Sequence, residues 1–280
     1  MAPNRIAAWE CLTGFVTAPS TTLTALTMAG NDSLTVRNVP GNAWLLNAWV
    51  DAQATGSLQI LSPRMHDNQR AITVADVASE VYPLISWMTP QVLFPQDQLT
   101  VKLSGSATAG DIETACMLIA YNQLPGLDAR LITYDEFIAM SLGQTMVVEN
   151  TLALGTTGGY SGQEAINAEY DNWKANEDYA LVGYETNTEC AGIFWTGVDT
   201  GNLRVGGPGN ETNKEVTREW FLKLAQYTGL NMIPVFNGAN KNAIYISGAQ
   251  DENGADPLVN SIFVQLNKNL VQANPYLTKR

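Results

Sequence analysis

A chain of 280 residues has room for one large domain or two ordinary ones, since domains commonly run to about 100–150 residues. Apolar residues make up 45% and charged residues 15%, enough to build a full core and to exclude global disorder. The net charge of −12 divides evenly, −6 in residues 1–140 and −6 in residues 141–280, without a basic run, so direct sequence-specific binding of nucleic acid is not expected.

Cys11, Cys116 and Cys190 are odd in number and far apart, which gives neither a CxxC pair nor a disulfide framework. Cys116 lies in an apolar run and reads as a buried, inert thiol, and folding in a reducing compartment fits this usage. No apolar stretch reaches the ~20 residues needed to cross a bilayer. The run from Ile6 to Ala18 is interrupted by Glu10 and Gly14 and lacks a basic flank, so it is not read as a signal peptide.

Taken in chain order, residues 1–20 read as an N-terminal arm. Thr22–Met28 and Ser33–Val39 follow as two strands. Trp44-Leu-Leu-Asn-Ala-Trp49 is an apolar strand with an aromatic at each end, and Gly56-Ser-Leu-Gln-Ile is the next. Asp76 caps a weak helical segment carrying Val77, Val81 and Ile85, which Pro83 breaks or kinks. Pro90-Gln-Val-Leu-Phe and Leu99–Gly105 resume the strands, the latter alternating with period two. Cys116–Tyr121 closes the first half. The boundary falls near Pro125–Gln144, which divides the chain into 21–130 and 131–268, with 269–280 as a C-terminal tail.

The second half repeats the pattern after an opening strand at Thr145–Leu154. Tyr179-Ala-Leu-Val-Gly-Tyr184 answers Trp44–Trp49 at an offset of 135, and Gly192-Ile-Phe-Trp answers Gly56 at 136. Thr212 and Glu215 have capping-box spacing, and Val216, Trp220, Leu224 and Tyr227 follow at helical intervals up to Gly229. Val235 answers Val92 and Ser247-Gly248 answers Ser104-Gly105, both at 143, and Ser261–Leu266 answers Cys116–Tyr121 at 145. The offsets rise in order, as small loop insertions in the second half would make them. Thr156–Glu177, Gly-rich and then Asn-rich, is left unplaced. Each half thus has about eight strands with a short helix in its later part, a spacing that fits a sandwich or barrel, so the fold class is mainly β.

Chemistry is sparse. The single histidine, His66, excludes metal sites built from several histidines and reads as a residue of an exposed turn. Gly159-Tyr-Ser-Gly-Gln163 lacks the last glycine of a nucleophile elbow. Gly206-Gly-Pro-Gly209 reads as a turn, its proline lacking an N–H that a phosphate cradle would use. Asp251–Asp256 offers oxygen ligands for a divalent ion, with a solvated acidic turn as the stronger reading. Asn31-Asp-Ser33 and Asn210-Glu-Thr212 fit the glycosylation pattern, which has meaning only in a eukaryotic secretory pathway. Trp44, Trp49, Trp195 and Trp220 read as packing residues, whereas Trp9, Trp87 and Trp173 are open to a role at an interface or sugar platform. No catalytic, cofactor-binding or metal-binding residue is assigned, and the chain is expected not to be an enzyme.

Two consecutive eight-stranded units, each with a helix in its later half, resemble the double-jelly-roll major capsid proteins of tailless icosahedral viruses, the group of adenovirus hexon and the membrane-containing bacteriophages. The resemblance spans about Thr22–Lys268 and is one of architecture, without a signature motif. It implies two tandem jelly rolls, a homotrimer forming a pseudo-hexagonal capsomer, and assembly with neighbouring capsomers into an icosahedral virion shell after folding in the host cytoplasm. Cofactors are not implied. Through Arg5 and the basic end at Lys268, Lys279 and Arg280, the termini would touch minor capsid proteins or an internal membrane. Two other readings stand beside it: a carbohydrate- or receptor-binding jelly-roll module, and the capsid fold of tailed phages, which needs a longer spine helix than Asn213–Thr228.

Overall fold

The computed structural model describes residues 5–17, 22–51, 54–64, 72–75, 90–108, 111–126, 129–153, 159–168, 172–188, 190–209, 214–249 and 256–278. Its first half supplies β1 (Ala8–Val16), β2 (Thr24–Ala25), β3 (Thr27–Met28), β4 (Ala43–Asp51), β5 (Ser57–Leu61), β6 (Ile72–Ala75), β7 (Gln91–Leu93), β8 (Thr100–Ser104) and β9 (Glu113–Tyr121). The second supplies β10 (Leu131–Ile132), α1 (Tyr134–Met140), β11 (Ser141–Thr151), β12 (Glu164–Ala165), β13 (Asp178–Thr186), β14 (Cys190–Gly197), β15 (Val205–Gly209), α2 (Lys214–Thr217), α3 (Trp220–Thr228), β16 (Ile233–Asn237), β17 (Ile244–Ala249), β18 (Leu258–Leu266), α4 (Lys268–Ala273) and α5 (Pro275–Thr278).

Among the described residues all strand pairs are antiparallel, and they form four sheets consistent with jelly-roll-like β-sandwiches. The first half holds a large sheet in the order β3-β1-β9-β4-β7 and a small one in the order β2-β8-β5-β6. The second holds β10-β16-β13-β18-β11 and β12-β17-β14-β15. Read from β11, the second large sheet runs β11-β18-β13-β16, the counterpart of β1-β9-β4-β7.

The register repeats too. Trp44 pairs with Ala120 and Trp49 with Cys116; Tyr179 pairs with Gln265 and Tyr184 with Ser261. Each pair of strands carries one bulge, between Leu45 and Asn47 in the first and between Leu181 and Gly183 in the second.

Burial explains why the central strands read as continuous apolar runs. Every residue of β4, β9 and β14 is buried, which requires a covered sheet on both faces. Segments β14 and β15 of the second half supply that cover for the first, with β15 against β1 and β14 against β9 and β4. By contrast β8 alternates between buried and more exposed residues, as its period-two sequence predicts.

Several expectations need correction. The expected arm contains β1, a nine-residue strand paired along its length with β9. Glu10 interrupts its apolar pattern but is buried without cost in unmet hydrogen bonds: Arg37 donates to both of its oxygens at 2.7 Å and Tyr121 OH donates at 2.6 Å. Ser33–Val39 forms no strand among the described residues beyond an isolated bridge between Thr35 and Gln98. Residues 269–278 are not an extended tail but α4 and α5, with Val271 and Leu277 buried.

The expected helix over Asn213–Thr228 is broken into α2 and α3, with a turn at Arg218–Glu219. It ends where expected: Gly229 has φ 68° and its N–H donates to Ala225 O. Within α3, Trp220 and Leu224 are buried, whereas Tyr227, in the last turn before Gly229, is exposed. Gly206-Gly-Pro-Gly209 is not a turn but most of strand β15. A Cβ on Gly207 would lie 2.5 Å from both Trp220 Nε1 and Tyr184 OH, so the strand needs glycine to admit these two rings. Pro208, lacking an N–H, is tolerated because β15 lies at a sheet edge. The helical segment after Asp76, His66, Trp87, Thr212 and residues 251–255 lie outside the described residues.

Candidate functional site: the joint between the halves and the end that carries the termini

Two places bring distant parts of the sequence together. The first is the joint between the halves. Trp49 Nε1 donates to Ala191 O at 2.8 Å, Trp220 Nε1 to Gly206 O at 3.0 Å and Tyr184 OH to Pro208 O at 2.7 Å. Trp49 meets Trp220 edge to face at 6.0 Å, and Trp9 lies 5.9 Å from Phe221. These rings are fully buried, so the joint is a continuation of the core, and both halves share one hydrophobic cluster.

All three cysteines are buried, and none is in a disulfide. Cys11 donates weakly to Gly206 O at 3.6 Å and Cys116 to Ala191 O at 3.7 Å. Burial pushes the Cys116 thiol up to about 12, with Thr13 opposing the shift, and raises Cys11 well above the ordinary thiol range.

A polar staple flanks the joint. Asp32, from the first half, pairs with Arg204 at 2.7 Å, accepts from Thr13 N–H at 2.9 Å and accepts from Tyr160 OH. The Arg204 guanidinium lies 3.8 Å above the Tyr160 ring. Burial raises the pKa of Asp32, against the lowering effect of Tyr160, Thr13 and Arg204. The stretch that resembled a nucleophile elbow is spent here: Ser161 Oγ accepts from Gly248 N–H at 2.9 Å and donates to Gly162 O at 2.9 Å.

The second place gathers both chain ends. Thr133 and Glu136 form a capping box that starts α1, and Arg5 joins it, donating to Glu136 Oε1 at 3.0 Å and to Leu131 O at 2.8 Å. The Arg5 guanidinium also lies 3.8 Å above the ring of Tyr276 in α5, and Asn274 donates to Glu136 at 3.1 Å. The Asn231 side-chain amide holds the backbone of Ile6, accepting from its N–H at 2.8 Å and donating to its carbonyl at 2.9 Å. Arg130 donates to Leu277 O at 3.1 Å and pairs with Asp178 at 2.8 Å, with Asp199 at 3.7 Å.

Arg130, Asp178, Asp199, Asn237, Asn240 and Lys268 line a polar cavity of about 900 Å³ at this end. Burial raises the pKa of Asp199 against the donors Asn240, Arg130 and Asn237. Its carboxylates already have partners, which makes the cluster structural. Around the termini Ile138, Leu142, Leu270 and Tyr276 are exposed, at 58%, 45%, 44% and 50%.

Of the tryptophans left open by the sequence, Trp9 and Trp173 are buried. Trp173 stacks on Tyr179 at 4.4 Å and donates to Gly238 O at 3.0 Å, so neither ring is an exposed sugar platform. Among the described residues no group of three or more His, Cys, Asp or Glu side chains could hold a metal ion, and no helix is long and apolar enough to cross a membrane.

No family model matches the chain, and no curated protein matches it. Among solved structures, the PBSX exported protein XepA superposes with a TM-score of 0.27 at 10% identity, covering 92% of this chain and 86% of that one. A chain from the atomic structure of Sulfolobus turreted icosahedral virus superposes with a TM-score of 0.25 at 7% identity, covering 93% and 80%.

Proposed function

We propose that the chain is a structural shell protein, with two tandem jelly rolls per chain and three chains per pseudo-hexagonal capsomer in an icosahedral virion. The observation that carries this reading is the repeated strand order. Exchanging each strand of β1-β9-β4-β7 and β2-β8-β5-β6 for its counterpart gives β11-β18-β13-β16 and β12-β17-β14-β15. Two four-stranded antiparallel sheets in that arrangement are the content of one jelly roll.

The fused joint supports a rigid two-unit block, and the low charge content and the exposed apolar residues at one end support contact with neighbours. In this reading the chain has no catalytic residue and binds no cofactor. Its termini lie on the side that meets neighbours, minor capsid proteins or an internal membrane. The lectin-like reading loses support because Trp9 and Trp173 are buried. The test is the mass of the purified chain by light scattering, followed by electron microscopy. A trimer and closed particles are expected; a persistent monomer at high concentration would overturn the reading.

A further inference from the structure

The two large sheets are alike in strand order but unlike in what covers them. In the first half, β4 and β9 are buried throughout because the small sheet of their own half lies on one face and β14 and β15 lie on the other. In the second half only the inward face of β11 and β18 is fully covered, with Val148, Ser261 and Phe263 buried. Among the described residues the opposite face is exposed along β11, at Val147, Glu149 and Thr151, while Val264 of β18 on the same face is buried. Val147, Glu149 and Thr151 stand on it opposite Ile262, Asn260 and Leu258, and Val147 is 57% exposed. The turn between α2 and α3 covers this face at β13, where Arg218 O and Thr217 O sit over Gly183.

The chain also carries a surface of the kind that would fit there. In the first half a neighbour's small sheet covers the second face of a large sheet, and the first half's own small sheet presents its outer face. On that face Ser57, Gln59 and Leu61 of β5 run beside Thr100, Lys102 and Ser104 of β8, while Leu58, Ile60, Val101 and Leu103 point into the core. It carries one cation and no acid; the open face of β11 and β18 carries Glu149.

We propose that the open face of β11 and β18 receives the outer face of β5 and β8 from a second copy of this chain. The contact would parallel the internal one in part, because β5 is the counterpart of β14, which covers β9 and β4 within the chain. The contact joins two different surfaces, so successive copies add in one direction and close only as a ring. This inference rests on the assembly reading and names the surfaces that assembly would use.

The test uses the full chain with Gln59→Cys and Val147→Cys, singly and together, treated with a bifunctional maleimide. The three native thiols are buried, so the introduced pair reports alone. Covalent dimers and trimers are expected from the double variant and only monomers from either single variant. Dimers from Val147→Cys alone would mean that the open face meets itself, which overturns the proposal. Absence of cross-links in a sample that light scattering shows to be trimeric overturns it too, but leaves the assembly reading standing. A monomeric mass removes both. Val147→Glu, at an exposed position beside Glu149, keeps the fold and is expected to lose the trimer; an unchanged trimer would count against this face.

Discussion

Trp44 and Tyr179 hold the same place in two different sheets. Each is the second residue of its strand: Trp44 pairs with Val92 and Ala120, and Tyr179 pairs with Phe236 and Gln265. Their neighbours Trp49 and Tyr184, which also take matching positions, both donate to carbonyls of the β14–β15 segment. Equivalent residues of the two large sheets therefore meet at one glycine-rich stretch, and that stretch fixes how the halves sit together.

Substitution in β15 should accordingly weaken the whole molecule. Gly207→Ala places a Cβ against Trp220 and Tyr184, neither of which has room to move, and should cost about 1–3 kcal/mol by overpacking. Gly162→Ala, where a Cβ meets nothing within 4 Å, should change stability by less than about 0.5 kcal/mol. Urea denaturation of the two variants beside the parent measures the difference, and equal midpoints would contradict the close approach.

The buried thiols should be chemically silent in the folded chain. Burial suppresses the thiolate of Cys11 and Cys116 and removes all three sulfurs from solvent. A thiol-specific reagent at neutral pH is expected to label none of the three in the native protein and all three in denaturant. Rapid labelling of the native protein would show that the joint opens.

Acid should loosen the end that holds the termini. Burial alone would raise the pKa of Glu136, but the Thr133 N–H, Arg5 and Asn274 outweigh it and hold the carboxyl below the ordinary glutamate value of 4.5. A lowered pKa in the folded state means stabilisation that is present above 4.5 and is lost as pH falls through the folded value. The stability difference between the parent and Glu136→Gln is therefore expected at neutral pH and should vanish in acid. Asp32 and Asp199, whose values are raised, contribute with the opposite sign: their ionised forms are disfavoured by folding, so their protonation favours the fold.

Much of the sheet framework was legible because strands announce themselves by period and by bounded apolar runs. The pairing of Trp44–Trp49 with Tyr179–Tyr184, the alternation in β8 and the helix stop at Gly229 all follow from local chemistry. Strand β15 was illegible because glycine has poor strand propensity, and only the approach of Trp220 and Tyr184 makes it the right residue there. Strand β1 was hidden by Glu10, whose burial depends on Arg37 and Tyr121, 27 and 111 residues away. Helix α1 did carry a signal, the Thr133-x-x-Glu136 capping box, that a scan for caps would have found. The cluster at the termini joins Arg5, Glu136 and Tyr276, and no local pattern reports a contact across such separations.

That cluster gives the last prediction. Besides the burial of Val271 and Leu277, side-chain contacts hold the C-terminal helices, among them the Arg5 guanidinium on the Tyr276 ring, Asn274 on Glu136 and Arg130 on Leu277 O. Removing Arg5 breaks the first and takes a partner from the carboxylate that serves the second, so Arg5→Ala should cost about 1–2 kcal/mol and free α5 from its seat. Limited trypsin digestion reads this at Lys268, the first residue of α4. Cleavage there is expected to be slow in the parent and fast in Arg5→Ala and Tyr276→Ala. It should stay slow in Tyr276→Phe, which keeps the ring beneath the guanidinium and removes only the hydroxyl. Fast cleavage in Tyr276→Phe would assign the restraint to the hydroxyl and not to the cation above the ring. The same bond reports on where the ends go in an assembly. If they face neighbours inside a shell, cleavage at Lys268 in Arg5→Ala slows again once particles form; equal rates in free capsomers and particles would remove the termini from the assembly contacts.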